Sequence, residues 1–190
     1  MKAWVDALEA GAPDIVSVWR GIETGQRSEV RREIRNRVEL RTAGRFAIQL
    51  GHLAEALAGA VEGLSDDDLR RDGGEAGWNV AQTIGHACDA RAGLSLAAAR
   101  AAADRWPPDA PRVIPGVPGP ADADRATLLS RIDRSQRIVE RSALSVDGHE
   151  TDACPLDHPV VGRLRCGDWL LFAGVHDLMH LEQLHAIMGR

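Results

Sequence analysis

The chain has 190 residues, of which 44% are hydrophobic and 27% charged, and this composition is typical of one compact domain with or without an N-terminal extension. Its 28 acidic and 23 basic side chains give a net charge of −5, which argues against nucleic acid as a partner. No apolar run approaches the ~20 residues that span a bilayer, and the acidic N-terminus does not fit a signal peptide, so we expect a cytoplasmic protein without a membrane partner.

Residues 1–40 are predicted to be an N-terminal extension that is partly helical and separate from a bundle domain at 41–190. A short apolar piece is followed by glycine and proline breaks and then by a dense charged stretch. Within that stretch Val30, Ile34 and Val38 recur every four positions, which favours a helix laid over the surface or over a partner. We expect this extension to contribute no core element.

Four long helices are predicted in the rest of the chain, because apolar residues recur every three to four positions. They cover residues 44–64, 79–104, 122–144 and 167–190. Six of the nine prolines lie within residues 106–120, which excludes regular helix there and indicates a long connection. Neighbouring antiparallel helices need only a few linking residues, so this connection is a crossover. The predicted fold class is therefore all-α, a four-helix bundle with a long crossover.

Local signals place the helix starts. Ser65 before three aspartates predicts a short helical turn, and Asn79 with Gln82 predicts a capping box. The segment at 147–165 is polar and turn-rich, and we expect it to be a loop. Together with the crossover it would shape any pocket.

The seven histidines are unevenly distributed over the predicted helix faces. His176 and His180 lie about 40° apart on a stripe that points into the bundle, where two imidazoles can bind one metal ion. His86 on the second helix is the best third ligand, although taken alone it would better suit a hydrogen-bonded core histidine. Asp89, three residues further, is expected to be an orienting partner, a fourth ligand or a base.

The remaining histidines and the cysteines carry weaker signals. We expect His185 to be exposed and His52 to be a reserve ligand. The three cysteines form no C-x-x-C pair and fit a reducing compartment, while Cys166 near a helix N-terminus could have a lowered pKa. The spacing H-D-x-x-H is similar to that of zinc proteases, but only ten residues follow His180, and position 186 is Ala186, so a protease is not favoured.

Three motifs resemble those of the DinB-like (DinB/YfiT) metalloenzyme superfamily. They are W-N-x6-H-x-x-D from Trp78, H-P-x-x-G from His158 and H-D-x-x-H-x-x-Q from His176. The family has Ser or Thr where this chain has Asn79, a change that preserves helix capping. The resemblance covers residues 44–190, and the N-terminal segment has no family counterpart that we identify.

The resemblance implies a four-helix bundle, frequent homodimers, and a divalent transition metal on His86, His176 and His180. Zinc is the expected metal, with nickel, manganese and iron as alternatives. Asp89 and Gln183 would orient the ligands or a bound water. Characterised relatives include transferases and isomerases that use low-molecular-weight thiols.

These features lead to three hypotheses for the function. The first is a metal-dependent enzyme acting on a small molecule, either a thiol-dependent S-transferase or a hydrolase. The second is a non-catalytic metal-binding or stress-associated dimer, which a pocket closed by Trp169 and Phe172 would favour. The third is a helical scaffold without metal.

Overall fold

The computed structural model of the protein describes residues 3–24, 27–74, 77–113, 116–158 and 161–189. Long helices dominate, and the only sheet in these ranges is a two-stranded hairpin. In chain order the elements are α1 (Ala3–Leu8), α2 (Pro13–Thr24), α3 (Arg27–Arg37), α4 (Ala43–Glu62), α5 (Asp66–Arg70), α6 (Val80–Ala102), α7 (Arg125–Val146), β1 (Ala153–His158), β2 (Gly162–Arg165) and α8 (Cys166–Ile187).

The bundle consists of α4, α6, α7 and α8. Both α4 and α6 pack against α7 and α8, so the four helices form a closed ring in which α6 and α8 are neighbours. The centre of the bundle contains Leu50, Leu53 and Leu57 of α4, which are all buried. Burial of each such side chain stabilises the folded state by about 1.5–3 kcal/mol. The predicted all-α fold class is confirmed. Within the described ranges, no helix is both long enough and apolar enough to cross a membrane.

The capping box predicted at the start of α6 is present. The side-chain oxygen of Asn79 accepts a hydrogen bond from the Gln82 N–H at 2.9 Å, and the Gln82 side chain accepts one from the Asn79 N–H at 3.1 Å. Ser65 likewise caps α5, and Asp124 caps α7. The predicted helix starts therefore lie within a few residues of the observed ones.

The proline-rich crossover runs over the first turns of α6. The N–H of Gly119 donates to the Gln82 carbonyl at 3.0 Å, and a Cβ on Gly119 would lie 2.6 Å from the Cα of Gly85. Only glycine permits this approach of two backbones. The contact holds the preceding crossover residues above the helix face that carries His86.

The segment predicted as a loop at 147–165 contains the hairpin, so that prediction is wrong for β1 and β2. The strands pair antiparallel, with Ala153 opposite Arg165 and a register irregularity before Asp157. Inward-facing Cys154 and Leu156 are buried and fix the hairpin on the bundle. Apolar and polar residues alternate over only a few positions in this segment. An alternation this short does not predict strands.

The N-terminal helices pack into the core, and the expectation that they contribute no core element is wrong. Ile15, Trp19 and Ile34 are buried in the same hydrophobic cluster as the bundle helices. Ile15 packs against Gly174 of α8 so closely that a Cβ there would lie 2.4 Å from its Cδ1. The last helix is apolar nearly all round because α2 covers its outer side. The division into domains at residue 40 stays a prediction.

Candidate metal centre

Three histidines from two neighbouring helices meet at one end of the bundle. His86 comes from α6, and His176 and His180 come from consecutive turns of α8. One ring nitrogen of each lies within 4.8 Å of the others. The ring centroids of the α8 pair are 4.5 Å apart, and His86 lies 5.2 Å and 5.1 Å from them. The structure thus brings together the three residues that the sequence singled out.

Hydrogen bonds fix the tautomer of two of these rings. Nδ1 of His86 lies 2.9 Å from the carbonyl oxygen of Val117, which can only accept, so this nitrogen carries the hydrogen. Nδ1 of His180 lies 2.7 Å from Oε1 of Gln183 and donates to it in the same way. Both rings therefore keep a lone pair on Nε2, the nitrogen available to a metal.

The distance between the ring nitrogens fits a shared cation. Nε2 of His176 and Nε2 of His180 are 3.4 Å apart. Two nitrogens at the usual ~2.0–2.1 Å from zinc are separated by about 3.4 Å when the coordination is tetrahedral. Facing lone pairs at this distance repel each other unless a proton or a metal lies between them. The donor set is accordingly suited to the divalent metal that the sequence motifs imply.

Burial keeps the ring of His176 in the neutral form that binds metal. The pKa of His176 is lowered well below its usual 6.5, mainly by burial and further by the neighbouring His180 and His86. His180 is only 3% exposed. Imidazole coordinates a metal through its neutral form, so a depressed pKa preserves ligand capacity at neutral pH.

A cleft of about 520 Å³ opens beside His86 and His176. Its walls come from α6, the crossover, the end of β1 and α8. The other lining residues are Asp89, Ala90, Gly93, Leu94, Val113, Gly116, Val117, His158 and Phe172. The prediction that the crossover and the 147–165 segment shape the pocket is confirmed, since both contribute to these walls.

The two predicted accessory residues have different surroundings. Asp89 binds Arg131 of α7, whose Nη2 lies 2.7 Å and 2.6 Å from its two carboxylate oxygens, and its side chain is 59% exposed. It reaches the edge of the cleft rather than the three rings. Gln183 holds His180 by the hydrogen bond described above. Catalytic roles for both residues stay predictions.

Two further expectations about histidines can be compared with the structure. His185, expected to be exposed, is half-buried and stacks on Trp4 of α1 with ring centroids 4.8 Å apart, so that expectation is wrong. The N-terminal helix that covers it could not be placed from sequence. His52 is 45% exposed and lies beside Glu55, outside the three-histidine cluster.

The cysteines do not belong to the site. Cys166 begins α8, but the pKa of its thiol is raised by a hydrogen bond with Cys154 and by burial, so the expected lowering is wrong. The same contact lowers the pKa of Cys154. Burial raises the pKa of Cys88 to about 12. At Cys166 the contact with Cys154 and burial therefore outweigh the effect of the helix N-terminus on the pKa of the thiol.

His158 is a cleft residue to which the sequence assigned no role in the site, and its neighbour Phe172 was expected there only as a residue that could close the pocket. Their rings meet edge to face with centroids 4.9 Å apart. His158 begins the H-P-x-x-G motif, and this motif is the sequence feature that could have indicated its place in the cleft. Two residues of this motif, Pro159 and Val160, lie outside the described residues.

Fold and site together define a helical-bundle protein with a three-histidine cluster compatible with a metal-binding enzyme. The family model of the DinB superfamily matches residues 49–184, well over half of the chain. The chain therefore belongs to the DinB superfamily. The matched range contains all three clustered histidines and ends before the last turn of α8. No curated protein and no solved structure matches the chain.

Proposed function

We propose that the protein is a divalent-metal-dependent enzyme in which His86, His176 and His180 hold the metal through Nε2. The observation that supports this most is the open cleft beside three imidazoles, two of which are held in the ligating tautomer. Three protein ligands leave a coordination position for water or substrate. A metal bound there would supply Lewis acidity and a lowered pKa of a coordinated water or thiol.

The shape of the site favours an enzyme over a non-catalytic metal protein. Closure of the pocket by Trp169 and Phe172 would have supported the second hypothesis. Instead Trp169 is fully buried in the core, and Phe172 forms one wall of a cleft that stays open next to His176. Substrate access of this kind has no use in a purely structural metal site.

The reaction that we propose is a low-molecular-weight-thiol-dependent transfer or a hydrolysis of a small molecule, with zinc as the metal. Nickel, manganese and iron are the other metals to be compared. His158 is the cleft imidazole outside the ligand set, and its Nδ1 accepts a hydrogen bond from the Val161 N–H at 3.3 Å. Its neutral ring thus carries the hydrogen on Nε2. A cytoplasmic homodimer stays a prediction.

Metal content measured by mass spectrometry on untagged protein tests this proposal. We expect about one divalent ion per chain in the wild type and loss of the ion in His86→Ala and His176→Ala. His149→Ala is the matched control, because its side chain is 50% exposed and pairs with Asp152 outside the cluster. Stoichiometric metal in His176→Ala would refute the ligand assignment.

Turnover is tested after metal loading. A panel of low-molecular-weight thiols with an electrophile, and a panel of esters and amides, covers the two proposed reactions. We expect turnover that disappears in the His176→Ala variant and persists in the His149→Ala variant. A chain that retains metal but turns over neither panel would favour the non-catalytic metal-binding protein instead.

A further inference from the structure

The outer part of the cleft, beyond the three histidines, has apolar walls. We call it the outer cleft and define it by Leu94 of α6, Val113 and Val117 of the crossover, and Phe172 of α8. Val113 and Val117 are 46% and 63% exposed although they are apolar. A small molecule that fills a space of about 520 Å³ would cover these side chains and gain apolar contact there.

Charge is nearly absent from this surface. Among the described residues that line the cleft, Asp89 is the single carboxylate, and Arg131 neutralises it through both oxygens at 2.7 Å and 2.6 Å. The described lining contains no lysine or arginine. A charged group placed against these walls would lose hydration without gaining a partner, which is unfavourable.

Aromatic contact is available on one side. The rings of Phe172 and His158 meet edge to face with centroids 4.9 Å apart. The ring of Trp169 contacts Phe172 in the same way, with centroids 5.8 Å apart. The Phe172 ring thus contacts both neighbouring rings. A further ring could pack against it in the offset or edge-to-face arrangements that aromatic pairs prefer.

We propose that the outer cleft binds an uncharged aromatic or branched apolar group of the substrate, while a donor atom of the same molecule faces the three histidines. The position of the donor atom rests on the proposed function, because it requires a metal at the three histidines. The apolar walls of the outer cleft do not depend on that proposal. The substrate class is therefore a small molecule with a metal-binding head and an uncharged apolar tail.

Hydroxamates with one head and different tails test the proposal on the cobalt(II)-loaded protein. Binding is measured by titrating the visible absorption of the metal with acetohydroxamate, benzohydroxamate and 4-carboxybenzohydroxamate. We expect the phenyl tail to bind at least about tenfold more tightly than the methyl tail, since it buries more apolar surface. The carboxylate tail should lose that gain. Equal affinity of the methyl and phenyl compounds would overturn the proposal.

Two arginine variants locate the effect. Val117→Arg introduces the cation that the outer cleft lacks and leaves the backbone carbonyl that binds His86 in place. This variant should bind benzohydroxamate more weakly and 4-carboxybenzohydroxamate more tightly than the wild type. Leu144→Arg is the matched control, because Leu144 is 80% exposed on α7 and does not line the cleft. An identical response of the two variants would also overturn the proposal.

The design separates this inference from the proposed function. If acetohydroxamate perturbs the cobalt spectrum but the phenyl tail adds no affinity, the metal site stands and the apolar subsite fails. If no hydroxamate perturbs the spectrum of the bound cobalt, the open coordination position required by the proposed function is refuted. The subsite is then tested on the metal-free chain by saturation-transfer NMR with benzyl alcohol. A signal that Val117→Arg abolishes and Leu144→Arg retains supports the subsite, and absence of the signal in the wild type overturns it.

Discussion

Replacement of Arg91 by methionine should destabilise the protein strongly, because it would leave a buried carboxylate without a cation. Arg91 of α6 and Asp177 of α8 are 0% and 1% exposed, and Nε lies 3.4 Å from Oδ2. Nη2 of Arg91 also donates to the Leu50 carbonyl at 2.9 Å and to Oε1 of Gln136 at 2.7 Å. One side chain thus links all four bundle helices. Breaking a buried pair of this kind costs about 3–5 kcal/mol.

The pair itself is not expected to stabilise the fold by that amount. Burial raises the pKa of Asp177 to about 6, and the opposing effect of Arg91 is smaller. Desolvation therefore outweighs the attraction between the two charges. We expect the double variant Arg91→Met with Asp177→Leu to recover most of the stability that the single variant loses.

Urea unfolding followed by far-ultraviolet circular dichroism measures these differences. The control is Arg137→Met, which breaks an exposed ion pair with Asp133 whose side chains are 56% and 67% exposed. Its free energy of unfolding should change by less than about 1 kcal/mol. The reasoning is refuted if Arg91→Met is as stable as the wild type, or if the double variant is no more stable than the single one.

Three further predictions concern the core, the thiols and the cleft. Ile15→Ala should lower the free energy of unfolding by about 2–5 kcal/mol in urea, and an unchanged value would show that the N-terminal helices lie outside the core. Cys88 should react slowly with Ellman's reagent at pH 8 until urea is added, because burial raises its pKa to about 12; rapid labelling of the native chain at this position would contradict that burial. His158 should titrate below pH 6.5 in NMR spectra, because burial lowers its pKa and favours the neutral ring. The stability associated with the neutral ring is present above pH 6.5 and is lost as the pH falls below that value. A titration midpoint above 6.5 would argue against the buried position of this ring.

The bundle and its three histidines could be predicted because they depend on local regularities. The turn of an α-helix places His176 and His180 on one face, whatever surrounds them. The capping pair Asn79 and Gln82 fixed the start of α6 and hence the angular position of His86. Each of these inferences needs only residues a few positions apart.

Other features depend on contacts between distant segments, which no local pattern encodes. Ile15 meets Gly174 across 159 positions of sequence, and His185 is covered by Trp4 of the first helix. The tautomer of His86 depends on a carbonyl of the crossover. His158 enters the cleft through the register of a short hairpin with little strand pattern. Such features require the tertiary structure.

X-ray absorption at the zinc edge of the zinc-loaded protein tests the central claim most directly. With His86, His176 and His180 as ligands, we expect only nitrogen or oxygen neighbours at about 2.0–2.1 Å, with outer-shell scattering from three imidazole rings and one position left for water or substrate. In His86→Ala, which should lose the ion, this three-imidazole signal should disappear. A sulfur neighbour at about 2.3 Å, or fewer than three imidazoles in the wild type, would contradict the account.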